Sequence, residues 1–450
     1  MRYRDPARLV VLYTVSLGVP VEQDATRMCE ALVGLLDVDV LGIVDDKHGP
    51  LEVHVVCRGA RPLCVGCGSD SWVKDNTIVP LADLPAFGRP TRLMWHKQRW
   101  VCPNRACRVM SWTTEDARIA PPRVAITDRA GRWCTWQVGR NGRTVNDVAE
   151  ELSCDWHTVM DAVIAYGHEL VDDLGRVGSS IAVGLDETLF VHQGEFRTQV
   201  WSTSIVDVTQ GRLLDIVPGR DVTETCKWFD ARGELWRANV KWATLDLSNT
   251  YRKVFDTMLP DATIVADPFH VVKMANGKVD DARRRVQNMW LGHRGRKDDP
   301  LYRARKLLVM AAERLDAKGK SKLTGLLKAG DPTGELATCW HAKEVVRQIY
   351  DHTNYDIAVE WVNEIIRDFA DRDNPPEVQQ LGRTIKAWRD PILAWHRAHV
   401  SNGPTEAVNN LTKRIKRVAF GFTNFTNFRI RALLYAGKPN WDLLPTITPR

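Results

Sequence analysis

The stretch "SIAVGLDETLF", Ser180–Phe190, is an apolar run with a carboxylate, Asp186, near its centre. A charge on an interior strand is costly unless it is paired or bound to metal. Strand residues alternate faces, so Asp186 and Glu187 point oppositely and only one of them can join a shared site. Further along, "VKWATLDLSNTY", Val240–Tyr251, repeats the arrangement with Asp246. Between the two lie "FRTQVWSTSIVDV" (196–208) and "RLLDIVPG" (212–219), which read as two more strands, and "TETCKWFDARGEL" (223–235), which reads as a helix. Short apolar runs alternating with turn residues and helical stretches mark an α/β domain over residues 180–270.

Downstream, residues 271–400 read as successive amphipathic helices, among them "LYRARKLLVMAAERL" and "YDIAVEWVNEIIRDF". They lead to "SNGPTEAVNNLTKRIKR", Ser401–Arg417, where one acid, Glu406, precedes Lys413, Arg414, Lys416 and Arg417. With Pro404 as the first helical residue, Glu406, Asn410, Lys413 and Arg417 share one helix face. Two readings of Glu406 follow. It closes a capping box from the third helical position, or it is a metal ligand beside phosphate contacts. The strand order upstream resembles the ribonuclease-H-like fold, in which adjacent strands carry two aspartates and a later helix supplies a third acid. Carboxylates around two divalent ions suit phosphodiester chemistry.

Upstream, "CVGC" supplies Cys64 and Cys67, and "CPNRAC" supplies Cys102 and Cys107. Two close pairs joined by a strand-like stretch are what a four-cysteine structural zinc site needs. Cys29, Cys57, Cys134, Cys154, Cys226 and Cys339 lack such pairing and read as core thiols. "TVNDVAEELSCDWHTVMDAVIAYGHEL", Thr144–Leu170, places Val148, Ala149 and Leu152 on one helical face, breaks at Ser153–Asp155, and resumes with Val159, Val163 and Tyr166. A short helix, a tight turn and a second helix match a helix-turn-helix, with Trp156, His157, Thr158 and Asp161 early on the recognition helix.

The whole chain has 450 residues, 44% of them hydrophobic and 26% charged, as expected of a soluble protein of several domains. Its net charge of +6 is mild, but the basic residues are concentrated. Arg89–Arg143 hold twelve Lys/Arg against three Asp/Glu, and Ser401–Arg431 hold six against one. Two basic tracts in a nearly balanced chain point to a polyanion. Ten unevenly spaced cysteines in a chain of this length point to a reduced, cytoplasmic setting rather than a disulfide framework. The apolar segment "LVVLYTVSLGVPV", Leu9–Val21, is too short to span a bilayer. It reads as a buried element or as an over-extended translation start ahead of Met28.

The stretch "SNGPTEAVNNLTKRIKRVAFGFTNFTNFRIRALL" (401–434) resembles the closing segment of insertion-sequence transposases of the ISL-three family, and "GLDET", "TLDLSNTY" and "ADPFHVVK" resemble its other landmarks. The likeness runs from about Cys57 to Leu434, with the cysteine module and helix-turn-helix where that family has them. The first knuckle departs from it in having Val65 where a proline often follows the first cysteine. The resemblance implies a DDE transposase with Asp186, Asp246 and Glu406 as catalytic acids binding Mg²⁺ or Mn²⁺, and structural Zn²⁺ on the four cysteines. Asn410, Lys413 and Arg417 then follow the DNA backbone. In "ADPFHVVK", Asp267 reads as a helix cap or as an accessory acid near the metals together with His270.

Six segments are expected. They are an N-terminal segment of unclear role (1–50), a zinc ribbon (51–120), a helix-turn-helix domain (121–175), the first part of a ribonuclease-H-like core (176–270), a helical insertion (271–400), and a closing helix with a basic tail (401–450). The expected activity is binding of the element's terminal inverted repeats, metal-dependent strand cleavage and transfer into target DNA. The protein is expected in the cytoplasm on the nucleoid, off the membrane, as a homodimer or larger assembly on double-stranded DNA. The rival readings are a non-catalytic zinc and helix-turn-helix regulator, and another ribonuclease-H-like nuclease such as a junction resolvase.

Overall fold

Among the described residues, two sheets of five strands each organise the fold. The computed structural model describes residues 24–35 and 37–449. They fall into two compact units, one ending at Leu170 and taken up again at Trp441, the other spanning Val171–Asn440. The apolar segment Leu9–Val21 lies outside the described residues.

The first unit starts with helix α1 (Ala25–Val33) and strands β1 (Val38–Asp45), β2 (Leu51–Cys57), β3 (Trp72–Ala86), β4 (Arg89–Val101) and β5 (Ser111–Thr113). Their order is β1-β2-β4-β3, with β5 on β4. The long β3–β4 hairpin turns at Phe87 and Gly88, both at positive φ, which a two-residue hairpin turn demands. Inward residues Val53, Val55, Leu81, Leu93 and Trp95 form its core. The boundary expected at residue 50 does not separate two bodies, because β1 pairs antiparallel with β2 across it. Without β1, one edge of β2 would have no ladder partner.

Helix α2 (Asp128–Thr135), a π-helical turn (Trp136–Arg140), α3 (Val145–Leu152) and α4 (Trp156–Val171) follow. The Thr144 side chain caps α3 by accepting from the Asp147 amide, and Ser153 ends it in the left-handed conformation. Val148, Leu152, Val159 and Val163 are fully buried between the helices. Gly131 lets α2 approach α4, since a Cβ there would lie 2.6 Å from the Tyr166 ring. The tail beyond Trp441, expected to belong with the closing helix, instead joins this unit. Arg132 donates to the carbonyls of Pro445 and Ile447, and Trp136 packs on Trp441. Of the six cysteines read as core thiols, only Cys134 and Cys339 are fully buried.

The second unit begins with α5 (Leu174–Val177), β6 (Ala182–Gln193), β7 (Thr198–Asp207) and β8 (Arg212–Pro218). Next come α6 (Val222–Asp230), α7 (Glu234–Ala238), β9 (Trp242–Leu245), α8 (Asn249–Met258), β10 (Thr263–Ala266) and α9 (Pro268–Leu291). The sheet order is β10-β9-β6-β7-β8. β6, β7 and β8 form an antiparallel meander, while β9 and β10 run parallel to β6 on its other side. The helices α10 (Pro300–Leu308), α11 (Ala317–Gly330), α12 (Glu335–Gln348), α13 (Tyr355–Phe369), α14 (Pro376–Ala387) and α15 (Arg389–Ala398) complete the run of amphipathic segments. One buried cluster runs without a break from Val183 and Leu185 of β6 to Ile392 and Leu393 of α15. Finally α16 (Gly403–Val418) and α17 (Phe425–Ala436) return to the sheet. Among the described residues, no helix is long and apolar enough to cross a membrane.

Candidate active site

Register brings the two aspartates together. β6 and β9 are parallel neighbours with Gly184 opposite Thr244. Two residues further on come Asp186, still on β6, and Asp246, one residue past the end of β9, near enough for the Asp186 charge to act on Asp246. The helix α16 crosses this face. Its buried stripe is Thr405, Val408, Asn409, Thr412 and Ile415, and Asn409 donates to Asp186 Oδ2 at 2.6 Å. The approach is close enough to exclude any side chain at 184. A Cβ there would lie 2.2 Å from Thr405 Oγ1 and 2.8 Å from Asn402 Oδ1. A glycine inside a strand here marks another element's arrival.

The start of α16 is fixed by Asp267. Its Oδ2 caps α9 through the His270 amide, with Pro268 in first position, and its Oδ1 accepts the Asn402 amide at 2.9 Å. Asn402 in turn accepts from Thr244 Oγ1 at 3.1 Å. Asp267 is therefore a cap for one helix and an anchor for another. The capping-box reading of Glu406 does not survive. The helix starts at Gly403, which puts Glu406 in the fourth position, and the Asn402 amide it would have to reach is taken by Asp267.

Glu406 faces His270 instead, with Oε1 3.5 Å from Nε2, while His270 Nδ1 lies 3.1 Å from Asp267 Oδ2. The hydrogen bond to Asp267 holds the imidazole above its ordinary pKa against the opposing effect of burial. Burial raises the Asp246 carboxyl, with Asp186 and Glu187 adding to the rise and His270 opposing it. Asp246 Oδ1 is buried without a hydrogen-bond partner. The three acids share one neighbourhood but do not close into a tight cluster. Among the described residues, only the four cysteines bring three or more ligand atoms within 4.8 Å of one another.

Beyond Glu406, the exposed face of α16 carries Asn410, Lys413 and Arg417, as the periodicity predicts. Lys416 turns inward and donates to the Leu189 carbonyl at 2.6 Å. Asn409, Asn402, Thr405, Thr244 and Gly184 were not singled out in the sequence. Their signal was polar residues falling on the apolar stripe of α16, opposite a glycine in a strand.

In the first unit, Cys64 and Cys107 sulfurs are 3.8 Å apart and those of Cys67 and Cys102 3.5 Å apart. A tetrahedral zinc with bonds of about 2.3 Å puts its sulfurs about 3.8 Å apart. The contact with Ser69 brings the Cys67 thiol down to about 6, whereas desolvation pushes Cys102 up to about 12. A cation is needed for all four to ionise together. Gly66 makes room for the knuckle, as a Cβ there would meet Val109 at 2.7 Å and the Cys107 sulfur at 3.1 Å. On α4, Trp156 and His157 are exposed and stacked edge to face, and Thr158 is half-buried.

Against known families, residues 183–432 match the ISL-three model described as "Transposase". The chain belongs to the ISL-three family of transposases. Residues 60–107 match a second model, the zinc-finger of transposases IS204, IS1001, IS1096 and IS1165, so this transposase carries the family's amino-terminal zinc ribbon with its four cysteines gathered. It is similar to the transposase for insertion sequence element IS1001 of Bordetella parapertussis, 25% identical over 412 residues, covering 86% of this chain and 92% of that one. It is also similar to the transposase for IS1557 of Mycobacterium tuberculosis, 27% identical over 298 residues, covering 61% of this chain and 64% of that one.

Proposed function

We propose that this transposase cuts one strand at each end of its own element and joins the freed end to target DNA, with Asp186, Asp246 and Glu406 as the catalytic acids. The observation that carries the reading is the pair Asp186 and Asp246, each two residues beyond the paired Gly184 and Thr244, faced by a helix that Asp267 pins in place. The sheet, a three-strand meander extended by two parallel strands, has the order of a ribonuclease-H-like core, and the helices between α9 and α15 are the insertion within it. Three carboxylates with one buried oxygen left unpartnered form a hard-oxygen donor set suited to Mg²⁺ or Mn²⁺. Such ions, when bound, supply Lewis-acid activation of the phosphodiester and of the attacking oxygen.

The protein's own groups prepare that site. Asn409 fixes the orientation of Asp186, and His270, held by Asp267, sets that of Glu406. Attack by water at each end releases a 3′ hydroxyl, and that hydroxyl then attacks a target phosphodiester. Neither step requires a nucleophilic side chain. Recognition of the inverted repeats falls to the zinc ribbon and to α3–α4 as a helix-turn-helix, with Trp156, His157 and Thr158 toward the bases. Asn410, Lys413 and Arg417 contact phosphates. Two ends must meet, so the working form is a dimer or larger assembly.

The test is cleavage of a labelled terminal fragment with Mg²⁺ or Mn²⁺. Asp186→Asn, Asp246→Asn and Glu406→Gln should each fold and bind the fragment without cutting it, and combining them should add little, because the acids act as a unit. Normal cutting by Glu406→Gln would remove that residue from the site.

A further inference from the structure

Beside Asp246 opens a cleft of about 830 Å³ that the three acids do not account for. One wall is the face of α9 bearing His270, Lys273, Met274 and Lys278, and the other is the face of α14 bearing Gln380, Arg383, Thr384 and Ala387. Both sets follow helical spacing, so each wall is a single continuous face. Among the described residues that line it, Asp246 is the only acid against the cations Lys273, Lys278 and Arg383, and Asp281 lies 3.5 Å from Lys278 just outside the lining. Lys273 is exposed and lies near enough to Asp246 to favour its ionised form. Arg383 is exposed, and the wall around it is neutral.

The walls converge away from the acids. Lys278 donates to Gln380 at 2.8 Å, and one turn or two further Arg285 makes a two-pronged pair with Glu377 at 2.8 and 2.9 Å. At the other end Arg252 bonds the Ala387 carbonyl and covers the Trp388 ring, which fixes the floor. A slot whose walls meet through direct side-chain bonds at its far end is too narrow there for a double helix. A single sugar-phosphate strand entering at the acids meets cations on both sides.

We infer that this cleft holds an unpaired DNA strand leading away from the cleaved phosphodiester, gripped through its phosphates by Lys273, Lys278 and Arg383. The inference rests on the catalytic reading of Asp186, Asp246 and Glu406. It adds that end DNA is engaged with its strands parted, one of them running between α9 and α14.

The experiment uses the full chain with two labelled end fragments, one fully paired and one with an unpaired arm beyond the cleavage position. The forked fragment should bind more tightly, and Lys278→Ala combined with Arg383→Ala should abolish that preference while the melting temperature holds. Each single-strand phosphate contact contributes about 0.7 to the salt slope, so the double variant should lose about sevenfold less affinity for the forked fragment between 50 and 200 mM salt. A photoreactive side chain placed at Thr384 should crosslink to the unpaired arm. Equal binding of both fragments by the unaltered protein, with a Thr384 crosslink to the paired arm or to a second protein chain, would overturn the inference. Metal-dependent cutting read on the same fragments separates the two ideas. Cutting without a fork preference removes the cleft assignment alone, and a fork preference without cutting removes the catalytic one.

Discussion

Gly184→Ala tests whether the contact between α16 and β6 sets the position of Glu406. The added Cβ would lie 2.2 Å from Thr405 Oγ1, 2.8 Å from Asn402 Oδ1 and 2.9 Å from Thr244 Oγ1, where ordinary contact begins at 3.4 Å. The Thr405 hydroxyl must therefore retreat by roughly 1 Å, and overpacking of this kind costs about 1–3 kcal/mol. Opening the buried bond between Thr244 and Asn402 strands polar groups at a cost of about 1–3 kcal/mol more. Alanine's smaller unfolded-state entropy returns only about 0.4–1 kcal/mol. The expected net loss is about 3 kcal/mol, a fall of about 5–10 °C in the melting of the catalytic unit. Glu406 follows Thr405 directly, and a displacement of about 1 Å at a reacting centre costs on the order of a hundredfold in rate. The control is Gly277→Ala, inside α9 with nothing within 4 Å, which should stabilise by about 0.5–1 kcal/mol. Thermal melting and single-turnover cleavage of a labelled end fragment, run well below both melting temperatures, measure the two effects. A Gly184→Ala protein that melts and cuts like the parent would refute the reasoning, because α16 would then be free to take up the methyl group.

Cys102→Ser should release the zinc, seen by elemental analysis, and unfold the ribbon while the catalytic unit keeps its own melting transition, since metal binding there is folding energy. Lys413→Ala or Arg417→Ala should weaken binding to all DNA sequences and lower the salt slope by about 1 each, whereas His157 or Thr158 changes should alter preference among end sequences in a competition assay. Asp267→Ala leaves α9 uncapped and the Asn402 amide without its acceptor, for a loss of about 2–4 kcal/mol. Faster hydrogen exchange at the Asn402 amide would locate that loss at the start of α16.

The strands β6 and β9 were legible because a carboxylate inside an apolar run is costly enough to need a reason, and Asp186 and Asp246 stood in such runs. The cysteine pairs were legible from spacing alone. β1 was not, because five of its eight residues are exposed and only Val38 at its start is fully buried, so no alternating pattern marks it. The inner face of α16 was missed for the opposite reason. Thr405, Asn409 and Thr412 are buried, yet polar residues read as solvated until their partners on β6 and β9 are known. Buried Lys343, which donates to the carbonyls of Leu308 and Met310, misleads in the same way, since lysine in an amphipathic pattern is assigned to the surface. The return of the tail to the first unit rests on contacts between residues some three hundred positions apart, which no local pattern carries.

The anchoring of α16 by Asp267 also has a consequence in time. A ribosome releases the zinc module and α3–α4 hundreds of residues before it releases Glu406, and domains fold in order of emergence. Until Asn402 arrives, the Asp267 carboxylate and the Thr244 hydroxyl lack the partners that seat the last acid. A chain that stops between Asp267 and Asn402 therefore has its zinc module and α3–α4 without the tail that bonds Arg132, and it never seats Glu406 beside His270. Under the proposed function, such a fragment carries Asp186 and Asp246 but not the third acid.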